Sequence, residues 1–126
     1  ALKIPQDLVY TKEHEWIRVD DNILTIGITD FAQGELGDII FVEFPEIGEE
    51  FQKDDPFGTI EAVKTVADIF APVQGKIIEI NHDIENSPEV INSDPYGDGW
   101  LVKIEITEHM VSDRLLSPED YELLLS

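Results

Sequence analysis

The chain has 126 residues, enough for one domain around one core, and its 42% apolar share is that of a folded globular protein. Eight Lys and Arg stand against 28 Asp and Glu, a formal net charge of −20, which argues against nucleic acid and anionic membrane surfaces as partners and favours basic protein surfaces. There is no cysteine, which excludes disulfides, thiolate nucleophiles and Cys-ligated zinc, and no apolar run is long enough to span a bilayer.

The amino-terminal ALKIPQDLVY has neither the cationic start nor the apolar stretch of a secretory signal. EWIRV (15–19) and ILTIG (23–27) flank Asp20-Asp21-Asn22, a turn composition, and predict a hairpin. Thr29 is placed to cap a short helix that runs to about Leu36 and ends at Gly37. DIIFVEF (38–44) is β-branched and aromatic and is stopped by Pro45 and Gly48. FGTIEAV (57–63) and TVADIFA (65–71) predict two strands that meet at Lys64. GKIIEIN (75–81) predicts another, followed by a polar irregular stretch from His82 to Gly99 with one helical turn near Pro88–Ile91. WLVKIEI (100–106) alternates as a strand with one buried face. Ser117 and Pro118 open a carboxy-terminal helix over about 117–125, with Glu119 and Asp120 at the positive end of its dipole. Tyr121, Leu124 and Leu125 are its expected packing face. The whole of 1–126 is predicted to be a single domain.

Two short stretches recur at nearly equal offsets. Gly37-Asp38-Ile39-Ile40 returns as Gly75-Lys76-Ile77-Ile78, and Asp55-Pro56-Phe57-Gly58 as Asp94-Pro95-Tyr96-Gly97. The pattern suggests two related sheets. His14, His82 and His109 show no metal-ligand spacing, and no catalytic constellation is evident.

Of the six lysines, Lys64 alone lies midway between strand-like runs of comparable length. A hairpin tip would project its amine into water, within reach of a modifying enzyme. Pattern alone leaves a second reading, in which Lys64 is a charge that protects a hydrophobic β-segment from edge pairing. The segment GTIEAVKTVADIFAPVQG (58–75) resembles the lysine hairpin of biotinyl and lipoyl carriers. Biotin carriers flank the lysine with methionines, whereas here the neighbours are Val63 and Thr65 and the only methionine is Met110. KEHEW (12–16), ITDFAQGELGDIIFVEFPEIG (28–48), EAVKTVADIFAPVQG (61–75) and SPEVINSDPYGDGW (87–100) together resemble the glycine cleavage H-protein family in particular. Many members carry histidine or tyrosine where this chain has Phe31, so no role for a histidine there carries over.

The resemblance implies a mainly β fold: a flattened barrel or sandwich of two pseudo-symmetric antiparallel sheets, with short helices and a carboxy-terminal helix. It implies a non-catalytic carrier with lipoate amide-linked to Lys64. Its implied partners are a pyridoxal-phosphate glycine decarboxylase, a tetrahydrofolate-dependent aminomethyltransferase, a dihydrolipoyl dehydrogenase and the enzymes that attach lipoate. The location implied is the bacterial cytoplasm, or the mitochondrial matrix of a eukaryote. Glu15 and Asp68 are the candidate contacts for the cationic amine of the carried aminomethyl group, with ordinary solvated acid as their alternative reading. Two other functions stay open: a lipoate donor or store, and a lipoyl domain of a 2-oxoacid dehydrogenase. The chain has no adjoining linker or acyltransferase domain, which weighs against the latter.

Overall fold

The computed structural model describes residues 2–106 and 115–126; His109 and Met110 lie outside the described residues. The chain forms β1 (Val9–Tyr10), β2 (Glu15–Asp20), β3 (Ile23–Ile28), α1 (Asp30–Leu36), β4 (Ile39–Glu43), β5 (Glu50–Phe51), β6 (Pro56–Ala62), β7 (Val66–Phe70) and β8 (Gly75–Ile80). α2 (Asp83–Asn86), α3 (Val90–Ser93), β9 (Val102–Glu105) and α4 (Pro118–Leu125) follow. The strands make two antiparallel sheets, one in the order β1-β2-β3-β9-β8-β5 and one in the order β4-β6-β7.

The sheets bury their apolar faces in one core. Ile17, Leu24, Ile26, Ile77 and Ile104 come from the six-stranded sheet, and Val42, Phe57, Ile60 and Ile69 from the three-stranded sheet. Each such side chain contributes about 1.5–3 kcal/mol by leaving water. The β2–β3 hairpin is as expected, and Asp21 takes the left-handed conformation its turn requires (φ 59°). α1 begins and ends where predicted: Thr29 Oγ1 accepts from Ala32 N at 3.2 Å, and Gly37 closes the helix at φ 77°.

Four features differ from expectation. β1 and β5 are two-residue strands, defined by distant partners rather than by local pattern. The stretch expected to be irregular with one helical turn near Pro88–Ile91 holds two short helices: α3, which overlaps that turn, and α2, which was not expected. Asp55-Pro56-Phe57-Gly58 enters strand β6, whereas Asp94-Pro95-Tyr96-Gly97 is a turn in which the Asp94 carboxylate accepts from Asp98 N at 2.9 Å. In α4, Tyr121 is buried and Leu125 packs, partly buried, against the apolar cluster around it, but Leu124 is exposed.

A second apolar cluster of Leu8, Tyr10, Trp16 and Tyr121 fastens α4 to the six-stranded sheet. Tyr121 stacks on Tyr10 with ring centres 4.7 Å apart, and Tyr10 pairs with Leu116 through two backbone hydrogen bonds. Trp16 donates its indole N–H to the Pro95 carbonyl at 2.8 Å and lies across Gly27, its partner on β3. A Cβ at Gly27 would sit 2.5 Å from the indole nitrogen and 2.6 Å from Cε2. Gly27→Ala must therefore displace the ring and stretch a buried hydrogen bond. It is expected to destabilise the fold by about 1–3 kcal/mol, read as a lower urea midpoint with an unchanged slope; an unchanged midpoint would show that the ring has room to move.

Candidate functional site

β6 and β7 pair as far as Glu61 and Val66, and Ala62 N donates to Thr65 O at 2.8 Å. Val63 and Lys64 are left as the two-residue tip, and both are exposed. Val66, Ile40 and Phe41 are exposed apolar residues of the same sheet. No ion pair is made by Lys64 among the described residues. Its stem passes over Gly37: a Cβ there would lie 3.3 Å from Lys64 Cε and 3.8 Å from Nζ. Glycine at this position thus serves twice, supplying the positive φ that ends α1 and leaving room for the lysine.

The tip is braced from behind. Val63 N donates to Asp38 O at 3.0 Å. The Asn92 side chain on α3 holds the segment that carries that carbonyl: its Nδ2 donates to Gly37 O at 2.8 Å and to Gln33 Oε1 at 3.1 Å, and its Oδ1 accepts from Ile39 N at 3.0 Å. One amide therefore joins α1, β4 and α3 directly beneath the hairpin.

A cleft of about 420 Å3 lies between α1 and the strands. Ile28, Phe31, Ala32, Leu36 and Ile60 give it apolar walls, and His14, Glu15, Glu35 and Asp68 border it. Glu15 and Asp68 thus share one cleft but differ in setting. Glu15 is 2% exposed. Its Oε2 accepts from Phe70 N on β7 at 2.8 Å and its Oε1 from the Thr11 hydroxyl at 3.2 Å. Burial outweighs these two donors and pushes its carboxyl up to about 8. Asp68 is exposed on β7, directly opposite Thr59, while its neighbour Ile69 is buried in the core. It stands at the rim, four residues from Lys64, about 13 Å along an extended strand. A larger cavity of about 580 Å3 opens on the other side of Glu15, with Lys12, Lys53 and Asp54 in its lining; its charged wall suits an apolar guest less well.

Asn92, Gly37 and His14 were not among the site residues read from the sequence. Each lies inside one of the quoted motifs, yet what it does depends on partners elsewhere in the chain.

Two outcomes follow from this geometry. Asn92→Ala removes one side chain's bonds to three segments. It is expected to cost about 1–3 kcal/mol and to raise amide exchange at Val63 and Ile39 above that of the strand centres. Unchanged exchange at Val63 would show that the tip is held without it. Glu15 gives the fold a pH dependence of definite sign. Above 4.5 the unfolded chain releases a proton that the fold retains, so stability falls with rising pH and levels off above about 8. Glu15→Gln has no such proton, and its denaturation midpoint should lack this decline; parallel curves for the two proteins would contradict the assignment.

The family model described as Glycine cleavage H-protein matches residues 8–126. The chain is 56% identical over 124 residues to the glycine cleavage system H protein of Oceanobacillus iheyensis, covering 98% of each. It is 55% identical over 122 residues to that of Carboxydothermus hydrogenoformans, covering 97% of this chain and 94% of the relative. The crystal structure of a glycine cleavage system H protein from Mycobacterium marinum matches with a TM-score of 0.86 and 39% identity, covering 94% of this chain and 95% of that one. With a lysine hairpin, a two-sheet fold and relatives matched along their length, this chain belongs to the glycine cleavage H-protein family.

Proposed function

We propose that this chain, as a single domain over 1–126, is the lipoyl-lysine carrier of the glycine cleavage system and that Lys64 is its attachment point. The observation that carries the proposal is the placement of Lys64: an exposed lysine on a braced two-residue tip, beside an apolar cleft. The residues present fit a lipoyl group. Gly37 leaves space at the amine end of the lysine, and Ile28, Phe31, Ala32, Leu36 and Ile60 offer an apolar bed for an acyl chain. When bound, that group supplies a disulfide that is reduced on taking up an aminomethyl unit and is later reoxidised.

The protein's own part is presentation and shelter. Glu15 is mostly protonated at neutral pH, because burial favours the neutral carboxyl. A cationic amine brought beside it would reverse that preference and draw out a charge-assisted hydrogen bond. Asp68 at the rim is ready to meet the same amine from the solvent side. The chain acts as a carrier for three enzymes: the pyridoxal-phosphate decarboxylase, the folate-dependent aminomethyltransferase and the dihydrolipoyl dehydrogenase. Exposed Val63, Val66 and Phe41 offer them apolar contact, and the net charge of −20 favours encounter with basic surfaces. No helix among the described residues is long and apolar enough to cross a membrane, and the cytoplasm of a bacterium is the proposed location.

Lys64→Arg keeps the charge and offers no acylatable amine. Expressed with lipoate, the parent protein should gain the lipoyl mass on the peptide containing Lys64 and the variant none; an adduct on another lysine would sink the assignment. Glu15→Ala and Asp68→Ala should each speed spontaneous loss of the aminomethyl cargo, by roughly ten- to a hundredfold where the contact is shielded. Equal rates in both variants and the parent would remove the carboxylates from the shelter. Association with the decarboxylase should slow as salt shortens the Debye length from about 10 Å at 0.1 M to about 3 Å at 1 M; rates that stay flat would assign the acidity to solubility alone.

A further inference from the structure

His14 stands apart from the other residues of the cleft in two ways. Its backbone is left-handed, with φ 65°, a conformation that non-glycine residues adopt at a cost. Its ring is also held from behind: Nδ1 lies 2.9 Å from the Tyr121 hydroxyl of α4, which lies 2.7 Å from the Thr29 hydroxyl at the start of α1. Thr29 and Tyr121 are both fully buried.

Counting protons settles the direction of this relay. Thr29 Oγ1 accepts from Ala32 N, and among the described residues the one acceptor within reach of its own proton is the Tyr121 oxygen. Were Tyr121 to donate to Thr29, the buried threonine proton would be left with no partner, a cost that folded proteins avoid. Thr29 therefore donates to Tyr121, and Tyr121 donates to His14 Nδ1. The imidazole proton is then on Nε2, which has no partner among the described residues. The ring rests on Phe31, with centres 4.7 Å apart, and borders the cleft.

The cleft follows α1. It is lined from Phe31, beside which His14 borders it, to Leu36, and the Lys64 amine lies over the next residue, Gly37. The separation is about 10 Å, the length of a seven-residue helix. An acyl group on Lys64 that lies along this bed would have its amide at the Gly37 end and its sulfurs near His14. We propose that His14 is a positioning residue whose Nε2–H, fixed as a donor by the Thr29–Tyr121 relay, holds the sulfur end of the lipoyl group in the cleft. The inference rests on the carrier reading of Lys64. A neutral donor suits a sulfur acceptor and is the wrong partner for a cationic amine, so His14 and Glu15 divide the end of the cleft by chemistry. The charged and titratable groups around the imidazole are Glu13 in its own turn, Glu35 of α1, Tyr121 of α4, and Glu15 and Asp68 along the cleft. Glu13 and Glu35 favour its protonation, and burial, which is stronger, disfavours it, so the ring stays neutral at pH 7.

Nitrogen-15 NMR of the imidazole tests this without any partner enzyme. In the unmodified protein His14 should carry its proton on Nε2, and Tyr121→Phe, which keeps the stacking on Tyr10, should mix the two tautomers. A proton on Nδ1 in the parent protein, or a tautomer indifferent to Tyr121→Phe in a variant with native amide shifts, would overturn the relay. In protein whose mass shows the lipoyl adduct on Lys64, reduction of the group with a phosphine should shift Nε2. It should also reveal a thiol acidity that is weakened by His14→Leu, by roughly three- to tenfold in ionisation constant, and largely kept by His14→Gln, which retains a donor. An unmoved Nε2 and equal thiol acidity in lipoylated protein would overturn the sulfur contact and leave the carrier reading intact. Absence of the lipoyl mass would overturn the contact and the carrier reading together, while the tautomer measurement would still judge the relay.

Discussion

One carboxyl group joins the two sheets at the cleft. Glu15 begins β2 of the six-stranded sheet, and its Oε2 accepts the backbone N–H of Phe70 on the three-stranded one. β7 is the outer strand of its sheet, so this N–H would otherwise be an open edge donor. The bond ties the two sheets together at a residue that lines the cleft. It also places a group that burial holds neutral where a cation would be most strongly felt. A carboxyl kept in this way is an unusual spend of folding free energy, and the left-handed His14 immediately before it adds to the cost. Both costs fall at one end of the cleft, where the proposed function needs them.

The support for that end is drawn from distant parts of the chain. Thr29 caps α1, Tyr121 comes from α4, and Tyr10 supports Tyr121 by stacking. The carboxy-terminal helix thus reaches the cleft through Tyr121, whose hydroxyl and ring edge both meet His14. At the other end Asn92 does similar work for the hairpin. Neither residue lines the cleft, so neither would be suspected from a catalogue of its walls.

What the sequence made legible was local. The Asp21-Asn22 turn, the Thr29 cap with Gly37 closing eight residues later, and Ser117 before Pro118 are signals contained within a short stretch of chain, and each element formed at the predicted place. The alternation of 102–105 was read correctly because one face meets the core and the other does not. Lys64 was legible as a midpoint between two strands, and its meaning came from resemblance. The failures were non-local. Two-residue strands carry no period, and β1 and β5 exist because β2 and β8 lie alongside them. The matched Asp-Pro-aromatic-Gly stretches diverge because the Asp94 carboxylate accepts from Asp98 N ahead of it, whereas that of Asp55 accepts from Gln52 N behind it and Pro56 opens a paired strand. Asn92 looks like any loop asparagine until the backbone of residues 37–39 is brought to it.

The bracing under the hairpin has a mechanical consequence. A tether's tip explores a volume set by the tether's own bonds and by the wobble of its anchor. With Asp38 and Asn92 immobilising the backbone beneath Val63, the anchor of Lys64 adds little wobble of its own. The reach of anything attached there is then set by the arm's own bonds, measured from a fixed root. For the proposed carrier role, a fixed root makes the arm's local concentration at a docked partner the same from one encounter to the next.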